Sequence, residues 1–171
     1  NSREIEAALQ EHRIDLGLVE GICRLPNLRY TTFLQDELVA VVHTGSKLSL
    51  PDEITPEDLS RIPLVLRERG SGTLDVFERA LSEHNMKLSS LNVLLYLGST
   101  ESIKLFLEHT DCIGIVSIRS ISRELLSGTF RVIEIKGMPM LREFCFAQPQ
   151  GQESGLSQVL MQFAMHHNKK L

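Results

Sequence analysis

The sequence has 171 residues, 42% of them apolar and 23% charged, with a formal net charge of −4. That length holds one ordinary domain or two small lobes, and the composition is that of a soluble globular chain with a real core. It argues against DNA binding by this segment, because no basic run exceeds two residues and phosphate binding needs Lys and Arg gathered on one face. No apolar run reaches the roughly 18 residues of a membrane span, and no signal peptide opens the chain. The three cysteines, Cys23, Cys112 and Cys145, are odd in number and far apart, so all three are expected to be reduced.

Helix and strand signals alternate along the chain. Asn1 caps a first helix, with Glu4 as its capping-box partner and Ile5, Ala8 and Leu9 as the buried stripe. Asp15–Val19 reads as a short buried strand. Leu28–Phe33 and Glu37–Val42 read as two more strands. Composition changes at His43: Thr44–Lys47 is polar and turn-like, and Pro51 and Pro56 follow, the second after a Thr55 N-cap. Pro63–Leu66 is a strand, and a helix runs from about Gly72 to His84 with Leu74, Phe77 and Leu81 on one face. Leu91–Leu97 is a strand. A helix follows from about Thr100 to His109, with Ile103 and Leu107 inward. Cys112–Val116 is a strand, and a short helix then ends at Gly128, a C′ glycine. Phe130–Ile135 and Glu143–Ala147 are strands. Ser154 caps a last helix with Leu156, Val159, Leu160 and Phe163 at helical spacing. This alternation predicts an α/β fold with parallel or mixed sheets covered by helices. In such sheets ligands sit beyond the carboxyl ends of the strands.

Two strand-to-helix junctions could carry chemistry. Arg67–Thr73 follows the strand PLVL and holds two glycines, Ser71 and Thr73. Glycines let backbone approach a ligand, and the next helix offers unpaired N–H groups and the positive end of its dipole. Gly98-Ser99-Thr100-Glu101 repeats that grammar after LNVLLYL. Two such junctions aimed at one cleft would hold a small anion such as a carboxylate. Ser and Thr are also ordinary N-caps and glycines ordinary turn residues, so spacing alone leaves plain capping open.

Catalytic constellations are poor. None of the six histidines belongs to an HExxH or a Cys/His zinc spacing. His166 and His167 sit in a solvated tail, while His43 is either a hinge or pocket position or a plain strand end. GSG at 70–72 lacks the Lys-Ser/Thr ending of a P-loop, and no nucleophile elbow is present. No metal, no cofactor and no catalytic residue is expected.

The string Leu64–Thr73 (LVLRERGSGT) resembles the "REPGSGT" segment in the effector-binding domain of LysR-type transcriptional regulators. Leu9–Gly21, Gly98–Lys104 (GSTESIK) and Gly114–Ser117 (GIVS) with the later Arg123-Glu124-Leu125…Gly128 are similar to further family segments, in order and over nearly the whole chain. Arg69 stands where the family often has proline. The resemblance implies two Rossmann-like α/β lobes in a type 2 periplasmic-binding-protein-like fold, with the first βα unit missing from this sequence. It places the crossovers near His43-Thr44 and Ser117-Ile118, giving lobe I as 1–43 with 118–171 and lobe II as 44–117. It puts an effector pocket in the cleft between the lobes, carried by Ser71, Gly72, Thr73, Ser99 and Thr100, with Ser117 and His43 at the crossovers. It implies a cytoplasmic, non-enzymatic sensor of a small, anionic effector. The sensor would form homodimers or tetramers and reach DNA only through an N-terminal domain outside these residues. The rivals are a secreted solute-binding protein and an enzyme of the same fold. The latter needs two titratable groups with opposed demands in the cleft.

Overall fold

A computed structural model describes residues 1–20, 25–151 and 155–168. Cys23 and Ser154 lie outside the described residues. The chain divides into two compact units: 1–35, 70–72 and 142–171 in the first, 36–69 and 73–141 in the second.

In the first unit, helix α1 (Ser2–Gln10) starts with the expected capping box between Asn1 and Glu4. Ala8 and Leu9 are buried from it, with Ile5 packed beside them. Strand β1 (Gly17–Glu20) pairs antiparallel with β8 (Met140–Pro149), in register from Gly17 with Ala147 to Glu20 with Phe144. Leu9, Val19, Leu28, Cys145 and Ala147 form the core between helix and strands. Ser2 Oγ donates to the Glu20 carbonyl at 2.8 Å and accepts from its N–H at 3.1 Å, tying α1 to the end of β1. The last helix, α5 (Gly155–Asn168), carries the expected apolar spacing, yet Leu156, Val159, Leu160 and Phe163 are all exposed.

The second unit is built on β2 (Leu28–His43), which is one strand of 16 residues where the sequence pattern suggests two. No Gly or Pro interrupts it, and the polar step at Gln35-Asp36 does not break it. The Asp36 side chain is buried but accepts a hydrogen bond from Ser117 Oγ at 2.8 Å. A buried carboxylate with a donor loses much of its desolvation penalty.

In its second half β2 pairs with two strands. Leu38–Val41 pair antiparallel with β6 (Ile113–Ser117), and Ala40–His43 pair antiparallel with β7 (Phe130–Ile135). β4 (Leu64–Arg67) lies parallel to β6 on one side and to β5 (Val93–Leu97) on the other. A short strand β3 (Glu53–Ile54) runs parallel to β7, followed by a 3-10 turn at Pro56–Ser60 that Thr55 and Asp58 cap. Residues 36–43 and 118–141 group with the second compact unit, so these units divide at 35/36 and 141/142.

Helices α2 (Gly72–Glu83) and α3 (Thr100–His109) keep their predicted extents within a residue. Leu74, Phe77 and Leu81 on α2 and Ile103 and Leu107 on α3 are at most 2% exposed. α3 packs on Val41, Val65, Val116 and Phe130, which with Cys112 and Ile121 make the core of the unit. Burying each such aliphatic side chain contributes about 1.5–3 kcal/mol, which outweighs weak helix propensity. Burial pushes the Cys112 thiol up to about 11, with the Asp111 charge adding to it. Helix α4 (Ser122–Leu126) ends at Gly128, whose φ of +71° lets the Thr129 N–H return to the Glu124 carbonyl at 2.9 Å. No helix among the described residues is long and apolar enough to cross a membrane.

Candidate functional site

Strands β6, β4 and β5 are parallel neighbours, so their carboxyl ends open on the same side of the second unit. Ser117, Arg67 and Leu97-Gly98 stand there side by side. Two strand spacings, roughly 10 Å, separate the outer pair.

Arg67 is the residue that joins this edge together. Its Nε and one terminal nitrogen donate to the Glu68 carboxylate at 2.9 and 3.2 Å. Its guanidinium also donates to Thr100 Oγ1 at 3.5 Å and to the Gly98 carbonyl at 3.4 Å. The Glu68 N–H extends the β4–β5 ladder by donating to the Leu97 carbonyl at 3.1 Å. The two side chains are 14% and 27% exposed, so solvent reaches the pair from one side.

Ser99 is the N-cap of α3. Its hydroxyl oxygen accepts from the Ser102 N–H at 3.1 Å and lies 2.8 Å from Ser102 Oγ. A Cβ placed on Gly98 would meet no atom within 4 Å, so packing does not demand this glycine and there is room in front of it. Glu101 sits in the first turn, where a carboxylate suits the helix dipole. Lys104 reaches both Glu101 (3.0 Å) and Glu124 (2.6 Å) and donates to the Ser120 carbonyl at 3.3 Å. Burial works against the Lys104 charge, but its hydrogen bonds to Glu124 and Glu101 outweigh that and hold its pKa above the ordinary value. The Lys104 hydrogen bond holds the Glu124 carboxyl below its own.

The other expected site residues divide sharply. Ser117 ends β6 at the same edge, but its hydroxyl is engaged: it donates to Asp36 and accepts from the Arg119 N–H at 3.2 Å. Ser71 and Thr73 are 1% and 4% exposed. The glycines beside them serve packing. Gly70 has a φ of +88° and accepts from the Arg3 N–H at 3.4 Å, while any side chain at Gly72 would run into the backbone of Glu20. Ser71 and Gly72 thus belong to the packing of the first unit.

His43 lies at the opposite end of β2's pairing from Ser117. It lies five residues past Leu38, the partner of Ser117, or about 17 Å along β2. There its Nδ1 accepts from the Gly45 N–H at 3.1 Å, and its ring meets Phe130 edge-on. It borders a small hollow with Lys47, His109 and Asp111 instead. No group of three or more potential metal-ligating side chains able to hold an ion occurs among the described residues.

Of the residues expected from the sequence, Ser99, Thr100 and Ser117 stand at this edge, and Arg67 and Asp36 stand there without having been expected. The available signal was position. Arg67 is a charged residue closing an otherwise apolar strand, and such a residue stands where a parallel sheet meets its loops.

Residues 1–169 match the family model described as LysR substrate binding domain. The uncharacterized HTH-type transcriptional regulator YeiE of Escherichia coli (strain K12) is 33% identical over 135 residues, covering 79% of this chain and 45% of that protein. The chain therefore spans under half the length of this relative. Among solved structures, the regulatory domain of CcmR from Synechocystis PCC6803, in complex with 2-PG, superposes with a TM-score of 0.84 at 24% identity, covering 100% of this chain and 81% of that one. A protein described as a phosphate ABC transporter substrate-binding protein, from Clostridium perfringens and with bound phosphate, does so with a TM-score of 0.77 at 16% identity, covering 95% and 77%. The fold is that of the type 2 periplasmic-binding-protein-like class.

Proposed function

This chain belongs to the LysR substrate-binding-domain family, and on that premise we propose that it is the effector-sensing domain of a DNA-binding transcription regulator, with its effector cradle at the carboxyl ends of β4 and β5. One observation carries the reading. Arg67 is hydrogen-bonded across to Thr100 and Gly98, so that a guanidinium, a hydroxyl, the α3 N-terminus and the room in front of Gly98 converge. Ser99 and Thr100 are the contacts that orient the effector, and Ser117 supports the edge through Asp36.

The molecule works as a sensor in the cytoplasm, by population shift. A ligand that binds one arrangement of the protein better than another biases the equilibrium by that difference in affinity. In the full-length protein that bias passes through a homodimer or tetramer to DNA-reading domains outside these residues. The site is not built for turnover. Its carboxylates Glu68 and Glu101 each lie against a cation, whereas acid–base turnover needs two titratable groups with opposed demands.

The test begins with a thermal-shift screen of metabolites, since a ligand that binds only the folded state raises Tm. The best hit is then titrated by calorimetry against Ser99→Ala combined with Thr100→Val. Loss of two hydrogen bonds at about 1 kcal/mol each predicts an affinity weaker by roughly 30-fold, with the fold intact by circular dichroism. Unchanged affinity in the double variant would sink the cradle as drawn. Turnover of the hit would sink the sensor reading.

A further inference from the structure

The pairing of β7 with β2 runs from Phe130 opposite His43 to Ile133 opposite Ala40. Glu134 and Ile135 then pair with Glu53 and Ile54 of β3, so β7 leaves the side of β2. Gly137, with a φ of +68°, turns the chain back, and the Met138 N–H donates to the Ile135 carbonyl at 3.1 Å. β8 begins at Met140. This detour leaves a hollow of about 510 Å³ beside β2, lined among the described residues by the second unit alone. Its apolar side includes Leu38, Ala40, Ile133, Met138 and Met140, each at most 4% exposed.

Two carboxylates also line the hollow, those of Glu37 and Glu134, and among the described residues no Lys or Arg does. Neither carboxylate has an ion-pair or hydrogen-bond partner among the described residues. The cations next to the lining in sequence are turned elsewhere: Arg119 lies 3.9 Å from Asp36, and Lys136 lies 3.9 Å from Glu53.

We propose that this hollow is a second ligand site, separate from the cradle at β4 and β5, and that it takes a small apolar molecule carrying a protonated amine. Its volume falls within the roughly 300–1,000 Å³ of small-molecule sites, which are mostly apolar with a few polar groups that orient the ligand. Water in the hollow finds few partners on the apolar side, so an apolar body displaces it favourably. An ammonium group answers the two carboxylates, whereas a neutral molecule covers them uncompensated and an anion is repelled by both. Arg67, Gly98, Ser99 and Thr100 are not among the lining residues, so this site and the cradle stand or fall separately.

The experiment is an amide-resolved NMR titration of the 171-residue chain at low ionic strength and pH 7. Three probes share one phenyl group: phenethylamine, 2-phenylethanol and phenylacetate. Phenethylamine should give saturable shifts, largest at the amides of Glu37–Ala40 and Val132–Met138. Phenylethanol should bind at least threefold more weakly, and phenylacetate more weakly still. Exposed single charges contribute modestly, so Glu37→Gln combined with Glu134→Gln should weaken phenethylamine by about threefold to tenfold, to the level of the alcohol. Both positions are exposed, so the double variant should keep the fold by circular dichroism.

The proposal is overturned if the largest shifts lie elsewhere, or if phenethylamine binds no tighter than phenylethanol to the unmodified chain. It is equally overturned if the double variant holds phenethylamine as tightly as the unmodified chain does. Shifts of these amides with protein concentration alone would put a second copy of the chain in the hollow and overturn it as well.

Discussion

Gly72 carries the cost of one carbon atom. A Cβ there would collide with the carbonyl of Glu20, which is backbone and cannot step aside as a flexible side chain would. Gly72→Ala should therefore destabilise the chain by about 2 kcal/mol, a fall in Tm of roughly 4–8 °C for a protein of this size, measured by thermal unfolding. Gly98→Ala is the control. Its Cβ meets nothing within 4 Å, so Tm should stay nearly constant. Both glycines read alike in the sequence, as turn residues opening a helix. What separates them is a neighbour 52 positions away in the chain for Gly72 and open space for Gly98. The same limit governs the hydroxyl residues. Ser99 is legible because its role is local, a cap whose oxygen accepts from the N–H three residues on, that of Ser102. Ser117 is legible as a strand end but not as the donor to Asp36, 81 positions earlier. At His43 the change of composition marks a turn without saying at which end of the sheet the turn lies.

Among the elements, α3 is the one the sequence describes best, since its cap, its inward stripe and its extent are all local properties. Its link to α4 is not local. Lys104 and Glu124, 12% and 21% exposed, pair at 2.6 Å across the two helices. Glu124 has its pKa lowered by Lys104, so the pair's contribution is fully present above the ordinary carboxylate value near 4.3 and is lost as pH falls through the lower folded-state value. Glu124→Gln should lower stability by about 1–2 kcal/mol at pH 7, between the worth of an exposed pair and that of a fully buried one. The gap in Tm between the two proteins should close progressively as the pH is taken below about 4. A gap that stays constant from pH 7 to pH 3 would mean that the pair's charge is not what stabilises the contact. The last helix shows the opposite case. The spacing of Leu156, Val159, Leu160 and Phe163 is a good helix signal, and α5 is a helix, but spacing says only that these residues share a face.

For the whole molecule, the order of helices and strands and the α/β class were readable, because periodicity and turn residues repeat along the chain. The pairing of β2 with the strand Phe130–Ile135 was not, since it spans some ninety positions and no local pattern encodes it. The fused β2 was likewise hidden, because the polar Asp36 looks like a break until its buried donor is known.

That fused strand has a practical consequence for cutting the protein. One unit boundary falls inside β2 at 35/36 and another inside β8 at 141/142, so at these two points the boundary lies within a strand. Proteases need several residues of extended, unpaired chain and choose exposed turns. Brief digestion should therefore open the turns at Thr44–Lys47 or Lys136–Pro139, both within the second unit, before either strand boundary. Mass spectrometry of the first fragments reads the cut sites directly, and an initial cut at 35/36 would contradict a continuous strand.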